Sequence, residues 1–366
     1  MSQKGGGKLF YINNLRTVMI ILIVMLHLAI TYGAPGSWYY SEGTDDPLTV
    51  VVLALFNVTV QAFTLSFFFM ISAYFMPGSY QRRGAWSYLK NRLTRMGIPL
   101  AIFYFLINPL IVYVIFARSM GRPFSYFHSF STGPLWFVQV LLMFSILYII
   151  WMKYMPKMAV KKRAPPQSKQ IAAFILMLST ATFLVRIFWP IGKAISNLQF
   201  GFFPSYIAFF IVGIMAHGNR WFDDFDEEIG RRWLKVGILA IPMFLVIMIV
   251  GKGLEDVDPF FGGLHWQSLA YSTWDALVGT GLIAGLFVVF RKRFNYETNF
   301  SKLLSDNAYT VFIIQAPMIV FLTYPLRVVE IYPLLKFALM SVIVISLSFV
   351  ISHLVLRRLP YADRVL

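Results

Sequence analysis

The sequence predicts an all-α fold, a polytopic membrane helix bundle of about ten transmembrane helices, and three observations predict it. The 366 residues are 58% hydrophobic. Only 13% are charged, against about a quarter in soluble domains. A chain so poor in charge cannot cover a soluble surface, so its apolar surplus faces lipid. The third observation is that Lys and Arg cluster in short segments between long apolar runs, which is a topology signal. The net charge of +16 therefore reports orientation in a lipid bilayer and not nucleic-acid binding. Cysteine is absent, which excludes disulfides, thiolate nucleophiles and cysteine-ligated metals.

A spanning helix needs roughly 20 mostly apolar residues. Ten stretches qualify: 13–33, 49–76, 97–117, 134–152, 170–190, 203–217, 233–251, 268–290, 307–325 and 333–356. The first follows MSQKGGGKLFYINNLR with no small-residue cleavage pattern, so it reads as an uncleaved span and not a signal peptide. The second is long enough to tilt, or to carry a re-entrant piece around 67–76. Pro77-Gly78 is expected to break it. The segment 84–96 then reads as a basic amphipathic surface helix whose apolar contacts are Trp86, Tyr88, Leu89, Leu93 and Met96.

With the N- and C-termini taken as cytoplasmic, the inner segments hold twenty-five Lys and Arg, Lys4, Lys8, Lys157 and Lys161 among them. The outer segments hold five, including Arg118 and Arg122. Every alternating loop obeys the bias, which supports ten spans with both ends inside. Residues 1–366 read as a single transmembrane domain with no appended soluble domain. The outer loops are acidic and aromatic, with Trp38, Tyr39, Tyr40, Glu42, Asp45 and Asp46 in one and Glu255, Asp256, Asp258, Phe260 and Phe261 in another. They read equally as an interfacial belt or as an acceptor-binding vestibule.

Ionisable groups inside a span cost a few kcal/mol by insertion scales, so each is a functional candidate. His27 sits in VMLHLAITY within the first span, and Arg16 precedes it by eleven positions. Eleven steps of about 100° leave roughly 20° of rotation, so both share one helix face about 16 Å apart. Asn13 lies one turn below Arg16. The competing readings are a packing histidine and a snorkelling arginine anchor. Arg92 and Arg95 are three apart, hence neighbours on a helix surface. Two guanidinium forks can hold phosphate bidentately, or attract anionic lipid headgroups. Weaker candidates are Trp136 in GPLWFVQ, Asp275 inside span eight, and Tyr309 and Gln315 in span nine; Asp275 could equally pair with Arg186. The histidines show neither H-x-x-x-H nor H-E-x-x-H spacing, so no metal site is expected.

NNLRTVMIILIVMLH, FFFMISAYFMPGSYQRRGAWSYLKNRLTRMGIPL, GPLWFVQVLLMFSILYIIW, FFIVGIMAHGNRWFDDF and NAYTVFIIQAP together resemble acyltransferase family 3. These are ten-helix bacterial inner-membrane acyltransferases that modify sugars, glycans and other small acceptors, and the glucan-modifying members are nearest in flavour. The family's Arg-x10-His matches Arg16 and His27, and its Arg-x-x-Arg matches Arg92 and Arg95. The resemblance implies acyl transfer, with acetyl-CoA or another acyl-CoA as donor substrate, no tightly bound cofactor, and a hydroxyl of a carbohydrate-like acceptor. It implies His27 and Arg16 as catalytic residues and Arg92, Arg95 and Arg16 as the donor-phosphate site, in a bacterial-type inner (cell) membrane. Asn13, Ser72, Tyr74, Trp136, Asp275, Tyr309 and Gln315 are expected around that site. His27 would act as general base or be transiently acylated. The sequence departs from the family at Asn13-Asn14, where relatives often have Asp, at Ser72-Ala73-Tyr74 for Ser-Gly-Tyr, and at Gln315, where relatives commonly have His. The alternative reading is a transporter or flippase of a glycan or lipid-linked substrate, which should show broken helices in symmetry-related halves.

Overall fold

The computed structural model describes residues 9–119, 121, 123–154, 162–360 and 362–365. Lys4, Lys8, Arg122, Lys157 and Lys161 lie outside the described residues. Among the described residues nine helical runs are long and apolar enough to cross a membrane. They are α1 (Phe10–Tyr32), α2 (Pro47–Phe116), α3 (Gly133–Tyr154), α4 (Ser168–Phe188), α5 (Phe200–Asn219), α6 (Glu227–Val250), α7 (Trp266–Arg293), α8 (Asn299–Val328) and α9 (Pro333–Arg358).

The count of nine, against ten expected, comes from α2. At about 1.5 Å per residue its 70 residues would run ~105 Å if straight, more than three times a hydrocarbon core of ~30 Å. The run is instead split at Gly84, whose φ of 74° and ψ of 168° are non-helical and open to glycine without steric cost. Asp46 caps the start of the run through the Thr49 N–H. The loop that leads into this cap also carries Tyr39, whose hydroxyl donates to Asn108 on the far arm. The two arms therefore begin and finish on one side, with Gly84 on the other. The predicted spans 49–76 and 97–117 are the two arms of this run.

Pro77 does not end the helix; it is buried within it, and residues 67–76 form continuous helix with no re-entrant turn. Proline is tolerated inside membrane helices because neighbouring groups re-satisfy the freed backbone. In 84–96, Tyr88 and Met96 are buried and Leu89 is half-buried, but Trp86 is 73% exposed and Leu93 43%. Those last two expected contacts face away from the protein.

α1 and α7 form the centre of the bundle. Two-thirds or more of their apolar stretches is buried, against 17% for α6. α1 packs against α2, α7, α8 and α9, and Leu15, Met19, Val24 and Leu28 are fully enclosed. A largely apolar helix belongs at such a centre, and Arg16 and His27 are the basic side chains it carries there. Small residues allow the tightest approaches: a Cβ on Gly213 of α5 would meet the Met70 carbonyl of α2 at 2.2 Å.

Two buried ion pairs tie elements of the bundle together. Lys336 of α9, nearly fully buried, holds Glu42 at 2.5 Å and so ties the 33–46 loop to the bundle. Fully enclosed Arg186 of α4 meets Asp275 of α7 at 2.7 Å. Arg186 also donates to Ser272 Oγ and to the Gly201 carbonyl at the start of α5.

Candidate active site

α1 is helical without interruption from Phe10 to Tyr32, so Arg16 and His27 keep the helical relation of about 16 Å and about 20°. Each end of that face meets a different cluster.

At the Arg16 end, the charged groups that act on its guanidinium are Arg95 and Arg92, with the Tyr309 phenol beside them. The Arg16 and Arg95 side chains are exposed at the protein surface and Arg92 is half-buried. Arg92 Nε donates to Tyr88 Oη at 3.1 Å, and its guanidinium lies 5.1 Å from the Tyr88 ring centroid. Arg95 sits in a π-helical turn, 93–97, that runs into Pro99. Pro99 has no N–H, so the Arg95 carbonyl lacks its usual partner four residues on. The Tyr309 hydroxyl of α8 donates to that carbonyl at 2.6 Å. The turn that presents Arg95 is thereby locked to α8. Three like charges held together are mutually unfavourable, and a multivalent anion relieves them through bidentate hydrogen bonds.

At the other end, His27 lines a cavity of about 380 Å³. Trp38, Tyr39, Phe116 and Trp136 supply its aromatic walls, and Asn108, Asn197, Gln199, Ser37 and Ser131 supply amides and hydroxyls. The His27 imidazole is stacked on Trp38, with centroids 4.1 Å apart and planes 18° from parallel. Its Nδ1 lies 3.1 Å from Gln315 Oε1 of α8.

Trp38 is held in place by its loop. Ser41 Oγ donates to the Ile30 carbonyl, Tyr40 bonds Thr323, Glu42 meets Lys336, and the Tyr332 hydroxyl donates to Asp46 at 2.8 Å. Hydrogen bonds from the Thr49 hydroxyl, which contributes most, and from Tyr332 hold the half-buried Asp46 carboxyl below its ordinary range. Burial pushes the Tyr39 phenol up, so it stays a neutral donor to Asn108 Oδ1 at 2.5 Å. Asn108 Nδ2 in turn donates to the Ser129 carbonyl at 2.6 Å. Across the cavity, Asn197 Nδ2 reaches Ser131 Oγ at 2.6 Å.

The sequence-predicted residues thus divide. Arg16, Arg92, Arg95 and Tyr309 come together at one end, and His27, Gln315 and Trp136 at the other. Asp275 is held by Arg186 and lines neither cluster. Tyr74 stacks on Phe222 at 3.9 Å, and its near neighbour Ser72 is half-buried on the same helix. Asn13 is exposed, its carbonyl accepting from Thr17 Oγ1. It is Asn14 that bridges α1 to the Phe294 and Tyr296 carbonyls. Sequence reasoning missed Trp38 as the partner of His27, Asn108 as a cavity amide, and Lys336. An ionisable residue inside the last predicted span was the signal that marked Lys336; Asn108, next to a proline within a span, gave a fainter one.

Over 235 residues the chain is 25% identical to the glucans biosynthesis protein C of Salmonella gallinarum, and equally to those of Salmonella heidelberg and Salmonella paratyphi A. The aligned region is 59% of this chain, which spans 60% of the length of these curated relatives. No solved structure matches it. A family model described as an acyltransferase domain matches residues 9–353. The chain, a multi-pass membrane protein, therefore belongs to acyltransferase family 3.

Proposed function

We propose that the protein transfers an acyl group, acetyl in the simplest case, from acyl-CoA to a hydroxyl of a carbohydrate-like acceptor. The observation that carries this reading is the single face of α1, with an arginine cluster at one end and a histidine-lined cavity at the other. Arg92, Arg95 and Arg16 hold the coenzyme A phosphates at the cytoplasmic surface of the inner membrane. The pantetheine arm then extends along α1 through about 16 Å of helix rise. The acceptor enters the His27 cavity from the opposite side. Aromatic walls interleaved with amides suit a carbohydrate, which offers apolar ring faces edged by hydroxyls.

His27 acts as general base. A neutral imidazole nitrogen takes the acceptor's hydroxyl proton as the oxygen attacks the thioester carbonyl. The C–O bond forms, the C–S bond breaks, and the departing thiolate takes the same proton from the imidazolium. The products are the ester and free coenzyme A thiol, and the ring returns to its neutral form. Enclosure by Trp38 and the bundle limits hydrolysis of the thioester. Membership in an acyltransferase family favours this chemistry over transport.

The test incubates purified protein with radiolabelled acetyl-CoA and an extract of cell-envelope glycans. Label transferred to the glycan pool with stoichiometric release of thiol supports the proposal. Acyl-CoA consumption that is absent across acyl lengths and acceptors overturns it.

A further inference from the structure

Gln315 is fully enclosed in α8, and its Oε1 is paired with His27 Nδ1. Its Nε2 has no hydrogen-bond partner among the described residues. A methionine would fill nearly the same volume without leaving amide hydrogens dry, so packing alone does not account for a carboxamide here. The bond to His27 does.

A neutral imidazole carries one N–H and one lone pair, and the bond made by one nitrogen fixes the role of the other. A carboxamide oxygen only accepts. Its partner Nδ1 therefore bears the hydrogen, and Nε2 keeps the lone pair. We propose that Gln315 is a positioning residue that holds His27 as the Nδ1–H tautomer, which makes Nε2 the nitrogen that takes the acceptor's proton. The proposal rests on the reading of His27 as general base.

Trp38 completes the restraint. The stacked indole sets the plane of the imidazole, and the Gln315 bond sets its rotation within that plane. Nε2 is then directed away from α8. During transfer the proton arrives on Nε2 and leaves from Nε2 to the thiolate, while Nδ1–H stays bonded to Gln315 throughout. Turned over, the carboxamide would present its amine to Nδ1 and force the hydrogen onto Nε2. That ring could donate toward the cavity but could not accept a proton there.

The experiment is solid-state nitrogen-15 NMR of ¹⁵N-histidine-labelled protein in lipid bilayers at neutral pH. The chain has five histidines, and a difference spectrum against His27→Gln isolates the ring in question. The expected result is a protonated Nδ1 and a bare Nε2 in the wild type, retained in Gln315→Glu and lost in Gln315→Met. In steady-state assays Gln315→Met lowers kcat by about 10- to 100-fold with the donor KM unchanged, and Gln315→Glu recovers most of the loss. A wild-type His27 protonated at Nε2 overturns the proposal, and so does a tautomer that Gln315→Met leaves unchanged. The spectra read the tautomer whether or not His27 is essential for transfer. Full activity of His27→Gln would end the general-base reading independently of them.

Discussion

The indole of Trp38 lies flat on the imidazole of His27, with ring centroids 4.1 Å apart. The two residues sit on different elements, one on a loop and one within α1, so the stack is a tertiary arrangement. Removing the indole frees the imidazole to rotate, and a misplacement of about 1 Å at a reacting centre costs about 100-fold in rate. Trp38→Ala is expected to lower kcat by about 10- to 100-fold and to leave coenzyme A binding unchanged. Trp38→Phe retains part of the stack and falls between. Stopped-time assays beside calorimetric donor titration check both numbers.

The arginine cluster predicts the reverse pattern. Arg92→Ala and Arg95→Ala should each raise the donor KM by about tenfold or more, since a charge-assisted bond is worth about 1.5–3 kcal/mol, with kcat at saturation much less affected. Lysine at either position should recover only part, because an ammonium cannot form the bidentate fork. An unchanged KM in both alanine variants would remove the cluster from the donor site.

Tyr309 acts on that cluster through the backbone. Tyr309→Phe strips the donor from the Arg95 carbonyl, which Pro99 cannot serve. The loss of one such bond, about 1 kcal/mol, corresponds to about a fivefold weaker donor affinity. The phenylalanine variant should fold and express as the wild type does.

Arg186 and Asp275 are expected to be structural. Asp275→Asn leaves a buried guanidinium without its counter-charge, a loss of about 3–5 kcal/mol, read as a lower unfolding temperature in detergent. The double variant Arg186→Met with Asp275→Leu should recover stability and keep transfer activity. If the double variant is stable but inactive, the pair has a role in chemistry after all.

Composition and hydropathy made the bundle legible, because each crossing must supply its own apolar length. The helical period made the shared face of Arg16 and His27 legible, since α1 is uninterrupted. The turn was misplaced at Pro77-Gly78, where local breakers are strongest; α2 runs through them and reverses at Gly84, a position that only its positive φ marks. Asp275 read as either a site candidate or the partner of Arg186, and the pairing with that arginine 89 residues away is what the structure shows; sequence alone gives an intramembrane carboxylate and a cation but not their distance. Trp38 was visible as an outer-loop aromatic and no more. Its position depends on anchors such as Glu42 and Lys336, which are 294 residues apart, and no local pattern encodes that pairing.

Donor binding at the arginines and proton transfer at His27 are expected to be separable. One purified variant, His27→Ala, tests both when coenzyme A affinity and acyl transfer are measured on the same preparation. The expected result is a donor Kd within about threefold of wild type and transfer reduced by about 100-fold or more. Transfer within a few fold of wild type, with the donor bound normally, would contradict it.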